Sequence, residues 1–393
     1  MSQASSGNPA RPVARRSLVK LAGAAATLVA GGGLTLPALA QTPEASPVAT
    51  GDYRVRKNAK EMSAEEKFNF TNAIKALKKK PSPWIPGLNT YDTFVIWHRD
   101  AFTCGLNAAH MGSAFLPWHR QYLLLFEEQL RSVDPSVSLV YWDWTVDQEP
   151  DSYLWQPDLM GGDGSDDDNE AVIDGPFAKG SWVVNVWDHS DQHQLPWITR
   201  DLGMGGFAPD LPSADQLEAT LSIPTYDTEP WTALAYAGGS FRNSLEGWRD
   251  CVVEMCDDVD GVGPGCTGDH AMHNRVHLWV AGEWSFAHEQ AMEMDGHDHA
   301  TPEPTDDDMV MGTMAANTSV NDPVFWLHHT NIDRIWNIWM QRHGQQYLPE
   351  SGGPLGHNID DMMWPYEGIG IEATPRKMLD TKALGYVYDT DPV

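Results

Sequence analysis

From Pro323 onward apolar residues recur every three or four positions, and Phe325, Ile332, Ile335, Trp336 and Trp339 fall on one side of a helix. Pro323 suits a first helical position, where its missing N–H costs nothing, and Asp322 beside it can cap the free N–H groups. The same periodicity predicts a helix over residues 53–80, with Phe68, Ile74 and Leu77 inward and lysines at its C-terminal end. Pro81, Pro83 and Pro86 break the chain, and residues 90–102 resume as a second helix. Pro117 starts another just before His119, running on through the apolar stretch to Phe126. Tyr141-Trp142-Asp143-Trp144 reads as a short buried extended segment, with Asp143 a structural carboxylate. Short helices are predicted at 215–221 and 230–236, inside a stretch, 171–250, that carries no defensible motif. The pattern is mainly α, with few short strands and long loops.

Histidines are set into these apolar faces, where an imidazole needs a partner. His98 follows Phe94-Val95-Ile96-Trp97. His110 and His119 are nine residues apart, which puts them on opposite sides of a single helix. Both reach one metal only if His110 sits on the loop before the helix. His98, His110 and His119 then make one three-imidazole set. His273 and His277, at i and i+4, share a helix face. The last helix adds His328 and His329, between which the residues alone do not choose. No H-E-x-x-H glutamate stands between His273 and His277, which disfavours a zinc protease. Imidazole sets without cysteine or a built-in carboxylate suit copper better than zinc, iron or magnesium. Core packing explains any one of these histidines as well as ligation does; it does not explain six at these spacings.

Charge narrows the partners. A net charge of -29 and a pI near 4.6 argue against nucleic acid and anionic membranes. Seventeen tryptophans supply a large aromatic core. Four cysteines (Cys104, Cys251, Cys256 and Cys266) are too few to staple the chain but allow one or two disulfides after export. Ala14-Arg15-Arg16-Ser17-Leu18-Val19-Lys20 resembles a twin-arginine signal, with Ala38-Leu39-Ala40 a cleavage site, so residues 1–40 read as a signal peptide. Residues 41–52 read as a flexible linker and 53–393 as one catalytic domain. The acidic loop at 158–170 lacks calcium-loop ligand spacing and reads as a solvated loop.

With these residues in place, the chain resembles the type 3 copper family of tyrosinases, catechol oxidases and haemocyanins. Phe115-Leu116-Pro117-Trp118-His119-Arg120 resembles its copper A segment. His273-Asn274-Arg275-Val276-His277 and Asp322-Pro323-Val324-Phe325-Trp326-Leu327-His328-His329 resemble its copper B segment. The likeness runs from Arg56, matching an arginine that members pair with the motif here read as Tyr386-Val387-Tyr388, to that motif itself. It implies four core helices around a buried dicopper site, with His98, His110 and His119 on copper A. It implies His273, His277 and His329 on copper B, choosing the second of the paired histidines. Phe325 would pack against the copper B side, and Asn331 and Asp333 would orient histidines and helices around it. The implied chemistry uses O2 to oxidise o-diphenols to o-quinones, with ortho-hydroxylation of monophenols a further expectation. An o-aminophenol oxidase and a haemocyanin-like O2 binder without turnover are the alternatives.

The chain also departs from the family. Some members carry a thioether cysteine two residues before the second copper A histidine, where Ala108 stands here, while Cys104 lies six residues before it. A thioether and a disulfide for Cys104 both stay open. Hydroxylating members hold a water with an asparagine and a glutamate near copper B. Asn274 fits the asparagine, but no glutamate lies just upstream of His273, which leaves Asp269 as base, water holder or helix-start charge. Residues 283–308 read as an acidic insertion with Met292, Met294, His297 and His299 that could pass copper inward, although a mobile rim is the plainer reading. Longer relatives continue past the tyrosine motif into a covering domain, and none is expected here. The expected partners are a small phenolic substrate and O2, with no membrane association after signal cleavage. Oligomeric state is not legible.

Overall fold

The structure is a computed structural model that describes residues 53–102, 108–187, 195–204, 208–233, 235–248, 270–285 and 309–392. The signal and linker segments, all four cysteines and Asp269 lie outside these residues. The described residues belong to one compact unit, Val48–Val393.

Seven α-helices carry the described fold: α1 Ala64–Leu77, α2 Thr90–Ala101, α3 Phe115–Val133, α4 Ala214–Leu221, α5 Phe241–Glu246, α6 Met272–Ala281 and α7 Val324–His343. Strands are short and come in three pairs. β1 (Arg54–Arg56) lies parallel to β6 (Tyr386–Tyr388), β2 (Gly164–Ser165) antiparallel to β3 (Ala171–Val172), and β4 (Glu283–Ser285) antiparallel to β5 (Met309–Met311). The β4–β5 pair narrows the expected insertion, and residues 286–308, with its four metal-binding candidates, lie outside the described residues.

The first predicted helix is shorter than its periodicity suggested. Ser63 ends the preceding segment with a reciprocal capping box, its hydroxyl accepting from Glu66 N and Glu66 accepting from Ser63 N. The buried face is Phe70, Ala73, Ile74 and Leu77, whereas Phe68 is exposed rather than inward. Helix α2 begins at its cap Asn89, as the pattern predicted, and α4 at Ser213. The expected helix over 230–236 does not form. Its place is taken by turns leading into α5, which sequence periodicity did not single out because it spans only six residues, all buried.

Helices α3 and α7 form the centre. The Phe126 and Trp326 rings stack 3.4 Å apart, and Tyr122 stacks on Trp326 at 5.1 Å. Asp333 of α7 locks this pair to the chain ends. Its carboxylate accepts from Arg120 Nε at 2.5 Å, Arg56 Nη1 at 3.2 Å and the hydroxyls of Tyr386 and Tyr388. Arg56 also stacks on the Tyr386 ring at 3.7 Å, which is the expected pairing of arginine with tyrosine motif. Asp322 caps α7 by accepting from Val324 N and also takes both arms of buried Arg200, at 2.7 and 2.8 Å. Asp143 pairs with Arg334, a structural role as expected.

Candidate metal centre

Four helices and one loop bring seven buried histidines together. His98 projects from α2, His110 from the loop before α3, His119 from α3, His273 and His277 from α6, and His328 and His329 from α7. They fall into two groups, His98–His110–His119 and His273–His277–His328–His329, with one ligand nitrogen from each member lying within 4.8 Å of the others in its group. The groups touch: the His119 and His329 rings stack at 4.4 Å. Phe325 fills the remaining side, stacked on His329 at 4.0 Å and edge-on to His98 at 4.9 Å.

Hydrogen bonds at the outer ring nitrogens aim the inner ones. Nδ1 donates to the Asn317 carbonyl from His98 at 2.7 Å, to the Phe115 carbonyl from His119 at 2.8 Å, and to the Met314 carbonyl from His277 at 2.7 Å. His273 Nδ1 donates to Asn274 Oδ1 at 2.8 Å. A ring that donates from Nδ1 keeps a lone pair at Nε2. The Nε2 atoms of His98 and His119 are buried with no partner. His329 Nε2 lies 3.1 Å from His273 Nε2 and 3.2 Å from His277 Nε2. At most one proton could serve these three nitrogens, whereas a cation with bonds of about 2.0 Å at tetrahedral angles needs them about 3.3 Å apart. The donor set therefore fits a metal ion in each group. Burial favours the neutral, ligand-competent form of every ring, pulling His98 down to about 3 and His277 to about 4 and the others well below the ordinary histidine range.

The orienting partners differ from those expected. Asp333 binds two arginines and two tyrosines and holds helices, while Asn331 accepts from Arg334. Neither bonds a histidine; backbone carbonyls and Asn274 set the tautomers instead. A sequence reading could not anticipate this, because carbonyl direction is a property of the folded loops. Met314 is buried before α7.

A missed carboxylate is Glu246, the last residue of α5. It is fully buried and accepts from Met111 N at 2.5 Å, Trp248 Nε1 at 2.9 Å and Arg242 Nη1 at 2.9 Å. Burial pushes it up to about 7 despite the Arg242 guanidinium, which works to lower it. Gly247, at φ +89, then lets α5 press against the start of α6, where a Cβ would lie 2.7 Å from Ala271 Cα. Trp248 and Asn274 line one pocket together with His98, His110, His273 and His277. No glutamate lies just upstream of His273, but one from 27 residues upstream, Glu246, comes to lie behind the Trp248 wall of this pocket. Its sequence signal was the Leu245-Glu246-Gly247-Trp248 run, overlooked for its distance. Asp269 lies outside the described residues.

The His110 loop is clamped from the same side. Met111 sits in the left-handed region at φ 59, its N–H turned to Glu246. Ser113 Oγ donates to Asp227, which also binds Arg242, and Ala114 N donates to His357 Nδ1.

Comparison with known proteins agrees with this geometry. The model of the common central domain of tyrosinase matches residues 88–342. The tyrosinase of Streptomyces glaucescens is 37% identical over 340 residues, covering 86% of this chain and 99% of that one. The tyrosinase of Streptomyces lincolnensis is 36% identical over 344 residues, with 86% and 99% covered. The grixazone synthase of Streptomyces griseus is 33% identical over 365 residues, covering 85% and 99%.

Proposed function

The chain belongs to the tyrosinase family of copper oxidoreductases, and on that premise we propose that it oxidises o-diphenols to o-quinones with O2 and also ortho-hydroxylates monophenols such as tyrosine. The observation that carries this reading is the convergence of unprotonated imidazole nitrogens from two stacked histidine groups, which hold no carboxylate or thiolate among the described residues. His98, His110 and His119 would hold copper A, and His273, His277 and His329 copper B. Bound copper supplies the redox chemistry, taking up O2 and exchanging electrons with the phenolic ring.

The protein supplies position and proton handling. Phe325 fixes the His98 and His329 rings by packing between them. Buried Nδ1 contacts to three carbonyls keep His98, His119 and His277 facing inward, and burial of all seven rings keeps water from competing for them. Phe102, Trp248 and Leu278 give the pocket an apolar wall for an aromatic ring. Asn274, whose Nδ2 has no partner, holds a water, and the Glu246 carboxylate behind Trp248 accepts the phenol's proton through it. Glu246 is placed for this role by accepting from Trp248 Nε1, on a residue that lines the pocket. Export through the twin-arginine route is part of the proposal and rests on residues 14–40. Among the described residues no helix is long and apolar enough to cross a membrane.

The test is oxygen uptake by the copper-loaded protein, residues 41–393, with tyrosine, catechol and o-aminophenol in parallel, and copper counted per chain. Uptake with tyrosine and catechol is expected. Uptake with catechol alone removes the hydroxylase part. A preference for o-aminophenol redirects the substrate, and none with any substrate at two coppers per chain overturns the enzyme reading.

A further inference from the structure

The copper B side holds one histidine more than a three-histidine set uses. His328 is fully buried, and neither its Nδ1 nor its Nε2 has a hydrogen-bond partner. Buried imidazoles ordinarily find one, because an unpaired polar group in the core costs folding free energy. The ring is stacked on His273 at 5.2 Å and 17°, and lies 5.0 Å from His277 and 5.1 Å from His329. On its other side the Trp144 ring is 6.5 Å away, and Trp144 Nε1 is itself unbonded. Beyond these rings, the polar contact that bears on His328 is with the His273 backbone, too loose to make a hydrogen bond at either nitrogen.

Its place in the group is distinctive. The Nε2 atoms of His273, His277 and His329 already stand 3.1 and 3.2 Å apart, the spacing for one ion. One ligand nitrogen of His328 lies within 4.8 Å of those of the other three members of its group, so it belongs to the cluster without sharing their close Nε2 contacts. As arranged, an ion has three ligands at hand and a fourth imidazole beside them.

We propose that His328 is a standby ligand on the copper B side, binding the ion through a ring nitrogen while it passes into or out of the His273–His277–His329 set. The inference rests on the copper reading above. The step is ligand exchange alone: a neutral ring lends a lone pair and withdraws it, with no proton or electron transferred. A residue that stabilises a waypoint speeds passage in both directions and leaves the end state unchanged. That reciprocal effect separates it from a permanent ligand and from simple packing.

The experiment loads the copper-free full chain anaerobically with cuprous ion as its acetonitrile complex, then withdraws copper with bathocuproine disulfonate. Copper is counted in desalted aliquots at each time. Wild type must reach two coppers per chain; if it does not, the copper reading itself fails. In His328→Phe, one of the two coppers is expected to load and to leave at least about ten-fold more slowly, the scale of effect seen for groups supporting metal ligands. The final content stays at two, and the copper-free variant melts no lower than wild type. His328→Met, whose thioether binds cuprous ion, restores both rates. Should the phenylalanine variant fail to fold, His328→Gln is read by the same criteria. Unchanged rates, faster release, a content below two, or no rescue by methionine overturns the proposal.

Discussion

Replacing Asp333 with asparagine removes one charge from the buried knot that joins α3, α7 and the β1–β6 pair, and the structure sets the size of the effect. Arg56 and Arg120 are both fully buried. After the change Arg56 keeps Glu127 at 2.8 Å, but Arg120 keeps only the backbone carbonyls of Met378 and of position 333 and the face of Trp336 at 3.9 Å, with no carboxylate. A buried guanidinium stripped of its carboxylate costs about 3–5 kcal/mol. Over a unit of about 340 residues the unfolding entropy is roughly 0.7 kcal/mol per kelvin, so the melting temperature should fall by about 4–7 °C. Asp360→Asn, which breaks the solvent-screened exposed pair with Arg376, should leave stability nearly unchanged and serves as the control. Acid gives a second reading. Burial works to raise the Asp333 carboxyl, but Arg120 and Arg56 prevail and hold it below the usual aspartate range. Its folded form thus binds a proton less readily than the unfolded chain does. The contribution is full above about pH 4 and is lost as pH falls through the depressed folded value, so the gap between wild type and variant should close in acid. Urea unfolding followed by tryptophan fluorescence at neutral and acid pH measures both. A neutral-pH loss under 1 kcal/mol, or a gap that persists in acid, would refute the account of the knot.

Glu246→Gln should reduce tyrosine hydroxylation about a hundredfold, with catechol oxidation falling far less, as expected for a proton acceptor needed only by the phenol. Burial lifts this carboxyl to about 7, and the base form prevails above that value. Wild-type hydroxylation should therefore decline as pH falls through 7 while catechol oxidation does not follow; equal losses in steady-state assays would remove Glu246 from the role. Gly112→Ala would place a Cβ 2.5 Å from His357 Cε1, on a ring that Ala114 N pins in place. It should cost about 1–3 kcal/mol by overpacking and lower the copper content of the His110 set, read by denaturation and metal analysis.

Much of the centre was legible because helical periodicity is local. The i and i+4 spacing of His273 and His277 puts both on one face of α6 whatever surrounds it, and Pro117, which pointed to a helix start between His110 and His119, lies in the first turn of α3, with His110 on the loop before it. Residue pattern alone could not choose between His328 and His329. In the fold both join one group, but only His329 brings its Nε2 close to two other Nε2 atoms, at 3.1 and 3.2 Å. Local pattern also failed at α5, where six buried residues are too few to show a period.

What the sequence determined by itself is therefore the type and number of donors and the helices that carry them. Spacing of three to four residues acts over one turn and needs no partner. What only the tertiary structure decided is which groups complete the site across long separations. Glu246 reaches the His110 loop because Gly247 allows α5 to close on α6. The ring tautomers are set by carbonyls of Asn317, Phe115 and Met314, which every residue possesses and no sequence pattern marks. Backbone direction and the packing of distant elements arise only when the whole core forms, and that is where the orientation of this centre is fixed.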